Sequence, residues 1–202
     1  TLSGVVPNAG DIKFVPQRDI EYKQEITDED RTILGKDVPD FTYGVNLSLQ
    51  YKGFEFSMFG QGISGTKVAF DVYGVHPFYH GQDSPRKYHL KRWTEENPNP
   101  HAAYPRIYSA SSVHTTYNRN FSDYHLFDSD YFRFKTLSLG YTVPSATVKN
   151  WGLQSLKVYV TGENLFTVRA DKKMEDFDPE TAGGVIYTLG TKSVAFGVNI
   201  SF

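Results

Sequence analysis

The last ten residues of the sequence, 193–202, form two rows of unlike side chains. One row is apolar and the other is small or polar. A period of two is the pattern of a β-strand whose two faces meet different surroundings. Residues 41–50 repeat the pattern over ten positions, which is the length of a tilted strand that spans a bilayer. Three more strands with this alternation are predicted over residues 54–62, 131–143 and 155–168.

The connections between these strands alternate between short and long. The turn at 51–53 is tight and the connection at 144–154 is fairly short, whereas 63–130 and 169–192 are long and lack sustained periodicity. If residue 202 lies on the periplasmic side, the short connections are periplasmic and the long ones extracellular, as in outer-membrane barrels. Within the long segments, short pieces of strand are predicted at 10–15 and as a small hairpin at 67–74.

The fold class that this pattern predicts is all-β, an antiparallel transmembrane β-barrel with long extracellular loops. Aromatic residues gather near the predicted strand ends, which is typical of the girdles of such barrels. Five to seven strands are too few for a closed barrel of about eight strands or a plugged one of about 22. We therefore expect the C-terminal part of a larger barrel of about 22 strands. The predicted parts are 1–40 (extracellular loop region), 41–62 (hairpin), 63–130 (long extracellular loop), 131–168 (hairpin), 169–192 (extracellular loop) and 193–202 (C-terminal strand).

Composition removes several other classes of function. The net charge of −2 gives no basic excess, so nucleic acid is a poor candidate partner. Cysteine is absent, which excludes disulfides and thiolate metal sites. No apolar run approaches the ~18 residues of a transmembrane helix, and no signal peptide is visible at the start of the sequence.

The long loop at 63–130 carries the best candidate binding residues. Aromatic rings offer flat apolar faces to a sugar, and amide and guanidinium groups offer fork-like donors beside them. The residues that combine these properties are Trp93, Asn97, Tyr104, Arg106 and Tyr108. Packing of the loop itself is the alternative role for the same side chains.

Other motifs do not indicate a cofactor, a metal or an active site. The glycines at 60–65 match a dinucleotide fingerprint, but the next stretch is β-like rather than helical. His76 and His80 have an i,i+4 spacing without the glutamate of a zinc protease. The acidic clusters at 27–30 and 128–130 lack the ligand ladder of a calcium loop. We predict no metal, no cofactor and no enzyme activity.

Several motifs resemble a known family in order along nearly the whole chain. They are GDIKF at 10–14, DRTILG at 30–35, PDFTYG at 39–44, WTEENP at 93–98, YFRFKTLSLGY at 131–141 and VYVTGENLF at 158–166. These motifs resemble the late-barrel signature of SusC/RagA-type TonB-dependent outer-membrane transporters. One departure stands at 16–21, where PQRDIE replaces the Asp/Asn/Gly-rich, calcium-loop-like run of that family. The resemblance therefore carries no metal over to this chain.

The resemblance implies energised import of oligosaccharides or peptides across the outer membrane of a Gram-negative, Bacteroidetes-like bacterium. A SusD-like surface lipoprotein is the implied partner, and the TonB complex is the implied energy source through an N-terminal plug that this sequence lacks. The loop that contains Asp178 is implied to face substrate or lipoprotein, and the terminal Phe202 to be read by the barrel-assembly machinery. Two alternatives are a soluble all-β carbohydrate-binding module and a small stand-alone outer-membrane barrel.

Overall fold

A computed structural model describes residues 1–19, 25–69, 76–78, 84–85, 87–172, 178–180 and 190–202. The chain divides into two compact units. The sheet unit comprises the described residues of 37–66, 128–180 and 190–202. The loop unit comprises those of 1–36 and 67–127.

The sheet unit is built on one antiparallel sheet of five strands. The strands are β1 (Phe41–Tyr51), β2 (Phe54–Ser64), β5 (Tyr131–Thr142), β6 (Ser155–Arg169) and β7 (Ser193–Ser201), and they pair in the order β1-β2-β5-β6-β7. All five strands predicted from the alternation are confirmed, with ends shifted by one or two residues. In the described part of the chain, β1 and β7 form the two edges of this sheet.

The connections explain why neighbouring strands pair. The turn from β1 to β2 consists of Lys52 and Gly53, both with positive φ, as the tight two-residue turns of β-hairpins require. The connection from β5 to β6 contains a short helix, α2 (Ser145–Lys149), whose Val148 is fully buried. No helix among the described residues combines the length and the apolar character that a membrane crossing needs.

The register places most apolar side chains on one face of the five strands and most polar side chains on the other, with Phe59, which pairs with Asn46, as an exception on the polar face. Leu47 pairs with Met58, which pairs with Leu137, so the apolar row continues from strand to strand. On β7 the apolar row consists of Val194, Phe196, Val198 and Ile200, and these side chains are 51% to 84% exposed. A soluble sandwich would bury this row against a second sheet.

A β-bulge at Lys135 corrects the alternation of β5. Leu137 and Leu139 lie at odd positions, whereas Phe132 and Phe134 lie at even ones. The pairing skips Lys135 between Phe134 and Thr136. The extra residue inverts the parity of the strand, so all the large apolar side chains stay on one face.

Aromatic rings gather at both ends of the apolar face. At one end, Tyr43 stacks on Phe132 with 6.0 Å between ring centroids. At the other end, the rings of Phe54 and Tyr141 lie 4.5 Å apart. The middle of the face is aliphatic on β1 and β5.

The loop unit contains little regular structure. Its elements are β3 (Lys67–Ala69), α1 (Val113–Asn118), β4 (Leu126–Asp128) and 3-10 turns at Asp28–Asp30, Lys87–Lys91 and Asp123–His125. The predicted strand at 10–15 is wrong, because the backbone there bonds to side chains and loops rather than to a sheet. Strand β3 pairs with β4 rather than within a local hairpin, and residues 70–74 of that predicted hairpin lie outside the described residues.

The interior of the loop unit combines one aromatic pair with buried polar groups. The ring of Phe14 meets Tyr117 of α1 edge-on at 5.2 Å, and Tyr117 is almost fully buried. His76, His89 and His125 are also buried. Polar side chains in such positions need specific partners, so this unit depends on individual hydrogen bonds more than the sheet does.

Candidate functional site

Helix α1 fixes the segment 10–14 by hydrogen bonds from its side chains. The backbone N–H of Ile12 donates to Oδ1 of buried Asn118 at 2.9 Å. The Nδ2 group of Asn118 donates to Oδ1 of Asp11 at 2.9 Å, and the other oxygen of Asp11 lies 2.8 Å from Nδ1 of His114. Asp11 is thus fully engaged, and the backbone of this segment is held in one conformation.

Arg106 lies between two predicted aromatic residues. Its guanidinium carbon is 5.7 Å from the ring centroid of Trp93 and 5.3 Å from that of Tyr108. Nη1 forms an ion pair with Glu95 at 2.8 Å, and the backbone N–H donates to the carbonyl of Gly10 at 2.8 Å. Three of the predicted site residues therefore form one stack, in which the cation stabilises the orientation of both rings.

Tyr104 is held from several sides next to this stack. Its hydroxyl lies 3.2 Å from Nδ1 of His76, and the ring of His89 meets it edge-on at 4.6 Å. Its carbonyl accepts a hydrogen bond from the backbone N–H of Trp93 at 2.9 Å. Burial, and then the neighbouring Tyr124, raise the pKa of the Tyr104 phenol well above its usual value. The phenol is neutral at physiological pH.

A cavity of about 590 Å³ opens beside Trp93 and Tyr104 within the loop unit. This volume lies in the range of about 300–1,000 Å³ that is usual for small-ligand pockets. The lining residues are Gly10, Asp11, Ile12, Lys13, Trp93, Pro98, Asn99, Pro100, Ala102, Tyr104, Pro105, Asp123 and Tyr124.

Aromatic and proline rings form much of the cavity wall. Tyr124 donates its hydroxyl hydrogen bond to the carbonyl of Ala103 at 3.0 Å, and burial raises the pKa of its phenol. Pro98, Pro100 and Pro105 add rings with restricted backbones. Such a surface suits extended or ring-shaped ligands that lie against it.

Asn97 lies near the cavity but does not line it. Its side chain is exposed, and its backbone N–H donates to Oγ1 of Thr94 at 3.1 Å within a turn. A binding role for Asn97 stays a prediction, and its observed contacts shape the turn that leads to Pro98.

Asp178 lies in the sheet unit, where it binds a buried arginine of β5. Nη2 and Nη1 of Arg133 contact the two carboxylate oxygens of Asp178 at 2.6 and 3.3 Å. Both side chains are less than 10% exposed. Burial disfavours the Asp178 carboxylate, but Arg133 and the backbone N–H of Glu180 outweigh it, so the pKa of Asp178 is lowered.

Glu180 extends this ion-pair network. Its carboxylate lies 3.0 Å from Nη1 of Arg133 and 2.6 Å from Nζ of Lys135, and it accepts a hydrogen bond from the hydroxyl of Tyr131. The described contacts of Asp178 and Glu180 thus fasten residues 178–180 to one end of β5. A substrate-binding role of Asp178 remains a prediction.

Phe202 follows the last residue of β7, and 81% of its side chain is exposed. Its predicted role in barrel assembly stays a prediction. Among the residues that the structure describes, no group of three or more His, Cys, Asp or Glu is arranged to hold a metal ion. His80 lies outside the described residues.

Sequence reasoning missed part of the cavity wall. Lys13, Asp123 and Tyr124 line the cavity, and none of them was predicted as a site residue. The signal for Lys13 was available, because the motif at 10–14 stood out among the matches to a known family. Asp123 and Tyr124 carry no local pattern, since they reach the cavity only through the fold of the loop.

The chain is similar to two TonB-dependent receptors from Formosa agariphila. It is 30% identical over 167 residues to TonB-dependent receptor P3, which covers 83% of this chain and 15% of the receptor. It is 28% identical over 187 residues to TonB-dependent receptor P26, which covers 88% of this chain and 18% of that receptor. The chain therefore spans less than a fifth of the length of these relatives.

A solved structure of the RagAB peptide importer in its "open-open" state has a similar fold. The TM-score is 0.57 at 25% sequence identity, and the match covers 82% of this chain and 17% of that chain. No protein-family model matches the sequence. The proteins named here are receptors and an importer rather than enzymes.

Proposed function

Because the chain belongs to the SusC/RagA-like TonB-dependent transporters, we propose that it forms part of the wall and the outer loops of an outer-membrane nutrient importer. The sheet unit would lie in the membrane as a section of a larger barrel. The loop unit would lie outside the cell and take part in capture. No covalent chemistry is required of any residue.

The observation that carries this proposal is the exposed apolar face of the five-stranded sheet. Burial of a large apolar side chain is worth about 1.5–3 kcal/mol. A face with apolar rows on every strand is therefore costly in water and favourable against lipid. The opposite face presents Ser48, Ser57, Ser138, Thr161 and Asn199, which suits a wet interior.

The dimensions of the face also fit a bilayer. Phe132 and Tyr141 mark the aromatic ends of β5, nine residues apart. Their partners on β2, Gly62 and Phe54, are eight residues apart because Lys135 is bulged, which at about 3.3 Å per residue is about 26 Å along the strand. A tilt of 35–45° reduces the height to about 19–22 Å, most of the apolar band of about 25 Å in such barrels.

The imported nutrient would be an oligosaccharide or a peptide, delivered with a SusD-like surface lipoprotein. The similarity to the RagAB peptide importer supports a peptide, while the aromatic faces in the loop unit suit either class. Energy would come from the TonB complex through a plug that lies elsewhere in the full protein. The free energy of ligand binding would be used for capture, and transport would follow from movement of that plug.

The decisive experiment measures which residues of β7 face lipid. These 202 residues contain no cysteine, so Val198→Cys and Asn199→Cys, in a full-length transporter whose other cysteines are replaced by serine, place a nitroxide label at adjacent positions. We expect the label at Val198 to collide mainly with oxygen, which concentrates in lipid, and the label at Asn199 mainly with a water-soluble nickel chelate.

The same alternation is expected on β1 with Leu47→Cys and Ser48→Cys as the matched pair. Equal access of the nickel chelate to both members of each pair would contradict the membrane assignment. It would favour the soluble carbohydrate-binding alternative.

A further inference from the structure

Two oppositely charged side chains line the cavity of the loop unit without forming ion pairs to other described residues. Lys13 and Asp123 both line it. Both side chains are exposed, and neither forms an ion pair or side-chain hydrogen bond within the described residues. Asp11, the third charged residue of the wall, is already bound to His114 and Asn118.

These charges change what the cavity can recognise. A neutral oligosaccharide would use the aromatic faces and form no ion pair with either charge. A molecule that carries both a carboxylate and an ammonium group would satisfy both of them. The rings of Trp93 and Tyr104 would hold an apolar, extended segment between the two charged groups, as aromatic-lined grooves hold extended peptides.

Hydrogen bonds within the loop unit fix several residues of the cavity wall. Asn118 holds the backbone at Ile12, His76 holds Tyr104, and the backbone of Arg106 is bonded to Gly10. A preformed wall lowers the entropy cost of binding.

We propose that this cavity binds a short peptide by its two ends, with the Lys13 ammonium on the terminal carboxylate and the Asp123 carboxylate on the terminal amine. The side chains of the peptide would lie against Trp93 and Tyr104. This inference rests on the proposed import function, because it names the substrate class that the outer loops would capture.

The test uses the full-length transporter in detergent and the tetrapeptide Ala-Phe-Pro-Ala in three forms. One form has free ends, one is N-acetylated and one is C-amidated. Maltohexaose serves as the neutral oligosaccharide. Calorimetry measures the dissociation constant of each probe for wild type, Lys13→Met and Asp123→Asn.

We expect the free peptide to bind and each single variant to weaken it about tenfold, as loss of one charged hydrogen bond implies. The pattern across probes is more specific. Lys13→Met should leave binding of the amidated peptide unchanged, and Asp123→Asn should leave binding of the acetylated peptide unchanged. Lys87→Met and Asp19→Asn, which alter exposed charges that do not line the cavity, should change nothing.

A purely structural effect of either substitution would weaken all three peptide forms equally, and that result would overturn the inference. Binding of maltohexaose in place of peptide, lost in Trp93→Leu, would also overturn it but leave the import function standing. Absence of binding in a protein whose β7 labels alternate between lipid and water would reject the peptide site alone. Failure of that alternation would reject the import function whatever the calorimetry gives.

Discussion

The sheet unit and the loop unit differ in whether their apolar side chains are exposed or buried. In the sheet unit, rows such as that of Val194, Phe196 and Val198 point outward, and the backbone pairing of five strands holds the structure together. In the loop unit, Tyr117 is buried, and hydrogen bonds of individual polar side chains fix an irregular backbone. The sheet unit can leave its apolar rows exposed because strand pairing holds it, whereas the loop unit relies on burial and on individual hydrogen bonds. Under the proposed function, the sheet unit would face lipid and the loop unit water.

The largest expected effect on assembly comes from placing a charge on the apolar face of β7. Phe196→Arg puts a guanidinium near the middle of the apolar row, where a basic residue costs about 2–4 kcal/mol at the membrane midplane. We expect the amount of protease-resistant, heat-modifiable full-length protein in the outer membrane to fall at least about tenfold.

Ala195→Arg is the matched control, because Ala195 pairs with Thr161 on the polar face. We expect its assembly to stay near the wild-type level. If both arginine variants assemble equally well, the two faces of β7 do not meet different surroundings.

The second effect concerns the buried ion pairs of the sheet unit. Arg133→Met removes the guanidinium that contacts both oxygens of the buried Asp178 carboxylate, and breaking such a buried pair costs about 3–5 kcal/mol. Hydrogen exchange of the full-length protein should increase around Tyr131–Phe134. It should also increase around Thr167 on β6, which pairs with Arg133.

Lys135→Met provides the control within the same network. Lys135 also contacts Glu180, but its side chain is more exposed, so the loss is expected to be at most about 1 kcal/mol. Equal protection loss in the two variants would mean that the burial of Arg133 is unimportant.

The sheet was predictable because period-two alternation depends only on the local chain. It located all five strands, and it broke at Lys135, where the bulge lies. That break was itself a signal, since Phe132 and Phe134 are out of phase with Leu137 and Leu139. A bulge restores one apolar face where the sequence shows two phases.

The loop unit was only partly predictable for the opposite reason. The stack of Trp93, Arg106 and Tyr108 follows from residue chemistry close together in sequence. The hydrogen bond between Asp11 and Asn118 joins positions 107 residues apart, and no periodicity in the sequence predicts it. The ion pair between Asp178 and Arg133 could not be predicted from the sequence either, because it depends on where the chain returns to β5.

The third prediction tests those long-range bonds. Asn118→Leu removes the acceptor of the Ile12 N–H and the amide donor to Asp11, while it keeps the branching of the side chain at Cγ. Leaving a buried polar group unsatisfied costs about 1–3 kcal/mol. Hydrogen exchange at residues 10–14 should increase about tenfold or more, and exchange in β1 and β2 should not change.

Gln17→Leu is the control in the loop unit, because Gln17 is exposed. Unchanged exchange at 10–14 in Asn118→Leu would show that the segment is held by its apolar contacts alone. An equal increase in β1 and β2 would mean that the two units do not respond separately.

The smallest effect is a pH dependence at the end of β2. Asp130 accepts hydrogen bonds from the backbone N–H groups of Gly65 and Thr66, at 2.8 and 3.1 Å, and from the hydroxyl of Ser64 at 2.7 Å. Burial opposes ionisation, but these donors outweigh it and hold the pKa of Asp130 below its usual value. Because the folded pKa is lowered, the stabilisation is complete above the unfolded pKa of about 3.9 and is lost as the pH falls through the folded value.

Asp130→Asn keeps the shape of the side chain and removes its charge. We expect it to lower stability at pH 7 by about 1 kcal/mol, and to flatten the fall in the thermal unfolding midpoint of the full-length protein between pH 5 and pH 3. Asp37→Asn, at an exposed carboxylate of the same unit, should reproduce the wild-type pH profile. If Asp130→Asn also keeps the wild-type profile, the hydrogen bonds at Gly65 and Thr66 do not depend on the charge of Asp130, and neutral hydrogen bonding is enough to close this end of the sheet.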